Sequence, residues 1–288
     1  MRISRTSAKI KSMLSELRQF YTPENIALAL SPWALVLIGF VSLITNFGKY
    51  LTWSSVLYWW FYVRQKDGAA TKKFQRAWPD RRQIENEIRW SLKSCVVFSV
   101  MTVVIYYCAL KGWTSIYLNV ADRGWGYLCL SIVLMLFLHD IYFYVTHIFS
   151  HRISWIFRKF HRIHHQSGNP TPFADIMFHP VDAVVHVGFI PLFLFTLPLH
   201  PIAIGLFVTL VLVVNALGHI GYEMFPRFFN HSLIVHWINR ASLHNIHHSH
   251  VHYNFGLYFR FLDRLFKTEK VLDVDLPKSD LDVSRTAS

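Results

Sequence analysis

Long apolar runs parted by short basic stretches dominate this chain. Four runs, Ile26–Phe47, Ser94–Leu110, Gly126–Phe149 and Ile202–Tyr222, reach or approach the length that crosses ~30 Å of hydrocarbon at ~1.5 Å of helix rise per residue. A fifth, Val181–Leu199, carries Pro191 and Pro198 within it. A sixth, Leu51–Val63, has only 13 residues and is too short to cross. It reads either as the return limb of a hairpin turning at Asn46–Tyr50 or as an interfacial segment. Its Trp53, Tyr58, Trp59, Trp60 and Tyr62 suit the headgroup boundary.

The basic residues orient these runs. Residues 1–25 hold five Lys/Arg, 64–93 hold nine, 150–180 hold four and 223–288 hold eight. The other three, Lys49, Lys111 and Arg123, lie in short connections between spans. Positive charge is retained on the cytosolic side. This predicts that both termini and the 64–93 and 150–180 loops are cytosolic, that Ile26–Val63 enters and returns, and that 94–149 and 181–222 form two further hairpins. The expected organisation is an N-terminal membrane hairpin with its basic loop over 1–93, then the main domain over 94–288, whose last 15 or so residues read as a mobile tail.

Composition agrees. Hydrophobic residues make up 53% of the 288 and charged residues only 16%, against roughly a quarter charged in soluble domains. The net charge of +12 is spread over loops flanking apolar runs. That is the distribution of a membrane protein and excludes a nucleic-acid partner. Cys95, Cys108 and Cys129 are odd in number, lack CxxC spacing and lie in apolar stretches, so no disulfide framework or cysteine zinc site is expected. No apolar core of a cleaved signal precedes the first run.

The chemistry lies in the histidines. There are 17, none before His139 and none after His252. His147 and His151, at i and i+4, share one helix face with Asp140 and Tyr144 at the end of the 126–149 run. An acid within a span needs a partner, and a histidine N–H or a cation is expected for Asp140. His161, His164 and His165, and again His244, His247 and His248, read HxxHH. Three imidazoles on one helical turn pack poorly and chelate well. These eight histidines exceed the four ligands of one zinc, so two metals are expected. His219, with Asn215 and Glu223 a turn to either side, is a ninth candidate ligand. His179, before Pro180, and His250 and His252, after the third box, are candidates for a supporting or substrate-side role. His139, His186, His231 and His236 read equally well as structural, and His200 falls on the opposite face of the membrane.

These motifs resemble the fatty acid hydroxylase/sterol desaturase superfamily of integral-membrane diiron oxidases, over roughly Leu138 to Glu269. The resemblance rests on Asp140-x-x-x-Tyr144-x-x-His147-x-x-x-His151, His161-Arg-Ile-His164-His165 and His244-Asn-Ile-His247-His248. It extends through Asn254-Phe-Gly256 and Asp263-Arg-Leu-Phe-Lys-Thr268, and His219-Ile-Gly-Tyr-Glu-Met-Phe-Pro226 is similar to a segment of the sterol methyl oxidase branch. The chain departs from the family pattern at Ile148, Asp182, Leu262 and Lys267, where arginine, glutamate, tryptophan and glycine are usual.

The resemblance implies an all-α fold, a polytopic membrane helical bundle with a cytosolic helical cap holding a His-rich dimetal site. The metal ligands would be His147, His151, His161, His164, His165, His219, His244, His247 and His248, with Asp140, Tyr144 and His179 supporting them. The reaction implied is hydroxylation of a lipid C–H bond (sterol, fatty-acyl or polar lipid), or desaturation, using two irons, O2 and NAD(P)H-derived electrons. A small electron-transfer protein and its reductase would be partners, steered by Arg152, Arg158, Lys159 and Arg162. Zinc could occupy the same imidazoles in a purified sample. A zinc hydrolase would need a base such as the glutamate of HExxH, which is absent. A transporter would place ionisable groups mid-membrane in several spans, yet residues 94–110 and 202–214 have none.

Overall fold

The structure, a computed structural model, describes residues 22–64, 73–74, 77–223 and 237–271. Among them there is no strand, only the isolated bridges Lys73–Tyr222 and Ile238–Phe259. A short helix α1 (Pro23–Ala29) leads into α2 (Pro32–Tyr58), which is capped by Ser31 and opens on Pro32. α3 (Arg81–Leu110) is capped by Asp80, whose carboxylate accepts from the Gln83 amide at 2.7 Å. α4 (Gly124–Arg152) follows, then the one-turn α5 (Ser154–Ile156), a π-helical turn at Phe157–His161 and α6 (Arg162–His165). α7 (Pro180–Val187) and α8 (Phe189–Thr196) precede α9 (Pro201–Gly218), and α10 (Ala241–Ser249) and α11 (Phe261–Leu265) complete the cap.

Four helices are long and apolar enough to cross a membrane: α2 with its π-helical continuation to Arg64, α3, α4 and α9. The chain is an integral membrane protein. The hairpin expected across Ile26–Val63 does not form. One continuous 33-residue helix runs from Pro32 to Arg64, on the order of 50 Å long. The polar residues that mimicked a turn are satisfied by neighbouring elements instead. Asn46 donates to Ser99 Oγ at 3.2 Å, and Tyr50, fully buried, donates to the Phe173 carbonyl at 2.9 Å. Leu51–Val63 is thus the half of α2 that packs on the cap, where the Tyr62 hydroxyl donates to Ile220 O at 3.0 Å. A single pass leaves Thr22 and Arg64 at opposite ends of the bundle. The even count of crossings expected before Arg64 therefore does not hold.

The 181–199 stretch is not one helix. It breaks at Gly188, where a Cβ would stand 2.8 Å from the Tyr142 hydroxyl oxygen. It still runs from the cap to the other end of the bundle, where Leu194 O and Leu199 O accept from the amides of Ser115 and Tyr117 at 2.8 and 3.2 Å. The last span ends at Gly218, four residues before Tyr222, so His219 stands at the helix terminus. Leu128, Met135, Phe193, Leu199 and Phe207 form the apolar core of the half remote from the histidines. On the cap side, buried Glu87 of α3 accepts from Gln83, Ser167 and Thr171, tying the segment after α6 to the bundle.

Candidate metal centre

All nine histidines read as ligands come together, in two groups. His147, His151, His161, His165 and His247 form one, and His164, His219, His244 and His248 the other. Within each group the candidate ligand atoms lie within 4.8 Å of one another. The groups adjoin, with the His165 and His248 rings 4.9 Å apart. Seven of the nine are buried, and His151 and His165 nearly so.

The ring nitrogens show what these pockets accept. His147 Nδ1 lies 2.9 Å from Phe255 O, His247 Nδ1 2.7 Å from Tyr253 O, and His219 Nδ1 2.7 Å from Asn215 O. His161 Nδ1 lies 2.9 Å from the Asp182 carboxylate. Each partner accepts only, so each Nδ1 carries the proton and each Nε2 presents a lone pair. The Nε2 atoms of His147, His161 and His247 are buried with no hydrogen-bond partner. In the second group, His219 Nε2 faces the Nε2 atoms of His244, His248 and His164 at 3.0, 3.3 and 3.5 Å. The partnerless lone pairs of His147, His161 and His247 leave a buried polar deficit that a cation removes, and neutral imidazoles are the donors that zinc, iron or copper take.

Burial favours the neutral form of six of these rings. It lowers His219 from 6.5 to about 4, although the bond to Asn215 O opposes the shift. Burial likewise brings His247 to about 3, and it holds His164, His165, His244 and His248 well below the ordinary value, reinforced by neighbouring imidazoles.

The carbonyls that fix these tautomers are placed by the segment after the third box. Asp263 accepts from the amides of Phe255 and Gly256 at 2.9 and 2.8 Å. Asn254, in the left-handed region at φ 58°, spans Leu243 O and Lys270 O through its amide. A Cβ on Gly256 would meet Phe259 O at 2.5 Å, which requires glycine there.

Among the described residues Asp140 meets neither a histidine N–H nor a cation. Its Oδ1 accepts from the amides of Leu257, Tyr258 and Phe259 at 3.3, 2.8 and 3.4 Å, because the 253–259 segment lies against that face of α4. Tyr144 lies 3.0 Å from Thr268 Oγ1, which donates to Asp263. Both residues thus hold the returning segment whose carbonyls face His147 and His247. His179 stands further off: it caps α7, its Nδ1 accepting from the Val181 amide at 3.2 Å. That helix carries Asp182, the direct partner of His161, which sequence reasoning treated only as a departure from a pattern. His186, read as equally structural, lies 3.8 Å from Asp182 and forms a third candidate group with it and His161. The HP-x-D spacing, with His186 four residues on, was the available signal. His252 is exposed and His250 half-exposed, both outside the two groups, and His139 bonds Tyr258. His231 and His236 lie outside the described residues. His200 is remote, its Nε2 on Leu118 O at 3.0 Å.

Next to the centre lies a cavity of about 390 Å³, lined mostly by apolar side chains of α3, α4, α8 and α9, with Asn46 and Lys49 of α2. Phe143, Phe178 and His186 line its end next to the histidines. His186 stacks on Phe178 at 4.1 Å, and Phe143 lies 4.9 Å from His147. Its size and lining are those of a site for a small apolar ligand.

The family model for fatty acid hydroxylase matches residues 132–268. Rat lathosterol oxidase is 31% identical over 229 residues, covering 77% of this chain and 72% of its own length. The Delta(7)-sterol 5(6)-desaturase of Gibberella zeae is 27% identical over 190 residues, 66% of this chain and 57% of its own. Human cholesterol 25-hydroxylase is 29% identical over 144 residues, 50% of this chain and 52% of its own. No solved structure matches the chain.

Proposed function

The chain belongs to the fatty acid hydroxylase/sterol desaturase superfamily, and on that premise we propose that it is a membrane diiron oxygenase that hydroxylates a C–H bond of a lipid, with a sterol as the favoured substrate class. The observation that carries the reading is the junction of two all-imidazole groups with the floor of an apolar, membrane-level cavity. The sterol class rests on the names of the relatives.

In this reading His147, His151, His161, His165 and His247 hold one iron, and His164, His219, His244 and His248 the other. Bound iron supplies the O2-derived oxidant that an unactivated C–H bond requires and no side chain can provide. The residues of the chain do the rest. Phe255 O, Tyr253 O, Asn215 O and Asp182 keep the Nε2 lone pairs directed inward, and the cavity wall holds the lipid and excludes water. Phe143, Phe178 and His186 position the reacting carbon. The box-bearing face is the cytosolic one, since the basic residues of 64–93 and 150–180 flank it. Arg152, Arg158, Lys159 and Arg162 are exposed there, suited to an acidic electron carrier fed from NAD(P)H by its reductase.

The test is turnover of the iron-reconstituted protein under labelled O2 with lipid analysis. Hydroxylation puts one labelled oxygen in the product. Desaturation, the reaction named for the Gibberella zeae relative, consumes O2 without incorporating it. Anaerobic turnover with zinc, drawing oxygen from water, would refute the proposal.

A further inference from the structure

A polar pair lies in the wall of the apolar cavity, away from the metal ligands. His139, 2% exposed, lines the cavity about halfway along α4, eight residues from His147. Eight residues of helix amount to roughly 12 Å. Its ring is boxed by Phe189, Phe207 and Phe143, at centroid distances of 3.9, 5.6 and 6.2 Å. Among the described residues its hydrogen bond is the one between Nδ1 and the Tyr258 hydroxyl, at 2.8 Å.

That bond leaves something over. A neutral imidazole and a phenol bring two polar hydrogens, one N–H and one O–H. Whichever group donates across the shared bond, the other hydrogen is left among aromatic rings, and His139 Nε2 is left as a donor or a lone pair. Burying such a group unpaired is costly, and a polar group in the middle of a span usually serves function. Lys49 and His186 also reach the lining, nearer its ends, and three further polar residues there are already engaged. Asn46 donates to Ser42 and Ser99, Thr102 to Phe98 O, and Asn215 to Asp175 O.

We propose that His139, set by Tyr258, binds a hydroxyl group on an otherwise apolar lipid and so fixes which carbon reaches the metal centre. A hydroxyl both donates and accepts, so it satisfies Nε2 in either tautomer, whereas a carbonyl satisfies only one. The bound hydroxyl would sit about 12 Å up the α4 axis from His147. This deepens the proposed function and rests on the cavity being the substrate site.

The test is equilibrium binding to the metal-loaded protein in lipid nanodiscs, without O2 or reductant. Two pairs of probes serve: cholesterol against cholestane, and hexadecanol against hexadecane. The wild type is expected to prefer the alcohol of at least one pair about five- to tenfold, the worth of one buried hydrogen bond. Preference in the first pair identifies a sterol alcohol and in the second a straight-chain alcohol. His139→Phe should erase the preference while hydrocarbon binding and metal content remain. His139→Gln, which keeps a donor at that depth, should restore part of it. Equal affinity within both pairs, a preference that survives His139→Phe, or no recovery in His139→Gln overturns the proposal. Because no turnover is involved, failure of the proposed reaction shows separately, in the labelled-O2 experiment.

Discussion

Replacing Asp182 with alanine tests how the first histidine group is built. The carboxylate is 3% exposed and accepts the Nδ1 proton of His161, itself 1% exposed, at 2.9 Å. Its other oxygen lies 3.8 Å from His186 Nε2. Asp182→Ala leaves a buried N–H without an acceptor and frees the ring to rotate or change tautomer. A charge-assisted bond in such a place contributes about 1.5–3 kcal/mol. Loss of a partner behind a ligating histidine typically lowers metal affinity about 10- to 100-fold, which is the same range. Asp182→Asn keeps an acceptor without the charge, and a loss of about tenfold is expected. The assay is chelator competition with metal counted by mass spectrometry, and circular dichroism to confirm that the helices persist. Affinity within twofold of wild type in a folded Asp182→Ala protein would show that His161 is not held as a ligand in this way.

Other consequences follow from the same geometry. His219 and His247 ordinarily titrate near 6.5, but burial holds them at about 4 and about 3 in the folded chain. From pH 6.5 downward the unfolded chain takes up protons that the folded chain refuses, so stability is complete above 6.5 and falls toward pH 4. The metal-free protein should therefore lose thermal stability steadily from pH 7 to 5, and a flat melting profile would contradict the buried neutral rings. His164→Ala and His247→Ala should each cut bound metal and abolish turnover, whereas His200→Ala should leave metal content intact; full metal in His247→Ala would remove the third box from the ligand set. For orientation, single cysteines at exposed Ser154 and Ser249 should resist an impermeant thiol reagent in intact cells while one at exposed Ser115 reacts. The reverse pattern would invert the protein in the membrane.

The grouping of the candidate ligands was legible in the sequence because their spacing is local. An i, i+4 pair and two HxxHH turns state which imidazoles share a helix face, whatever the rest of the chain does. What surrounds them was not legible, since it depends on contacts distant in sequence. Asp140 lies 118 residues before Tyr258, whose amide it accepts, and nothing near Asp140 marks that approach. The His161–Asp182 bond crosses 21 residues. The continuity of α2 was hidden for a related reason. Asn46, Lys49 and Tyr50 punctuate an apolar run as a turn would, yet Asn46 and Tyr50 are polar because α3 and the Phe173 turn supply them with acceptors. The four longest apolar runs correspond to the four helices long and apolar enough to cross a membrane, the properties the bilayer selects. The fifth run, Val181–Leu199, forms two short helices broken at Gly188, where Pro191 has no N–H to continue the helix onto Val187 O.

The two HxxHH turns also explain why the centre has two pockets. At ~100° per residue, i and i+4 stand ~40° apart, whereas i+3 and i+4 stand ~100° apart. Each turn therefore divides into a pair and a single ring. His161 and His165 join His147 and His151, while His164 turns to the other group. The third box divides in the opposite sense: His244 and His248 stay with His219, and His247 crosses to the first group. Each box donates its pair to one pocket and its odd ring to the other, so neither pocket can form unless α6 and α10 are both in place. The rings at the junction bear this out, with His165 4.8 Å from His247 and 4.9 Å from His248. One box and one pocket would leave the odd ring buried without use. Two boxes exchanging odd rings use every imidazole, and they oblige the two pockets to lie side by side.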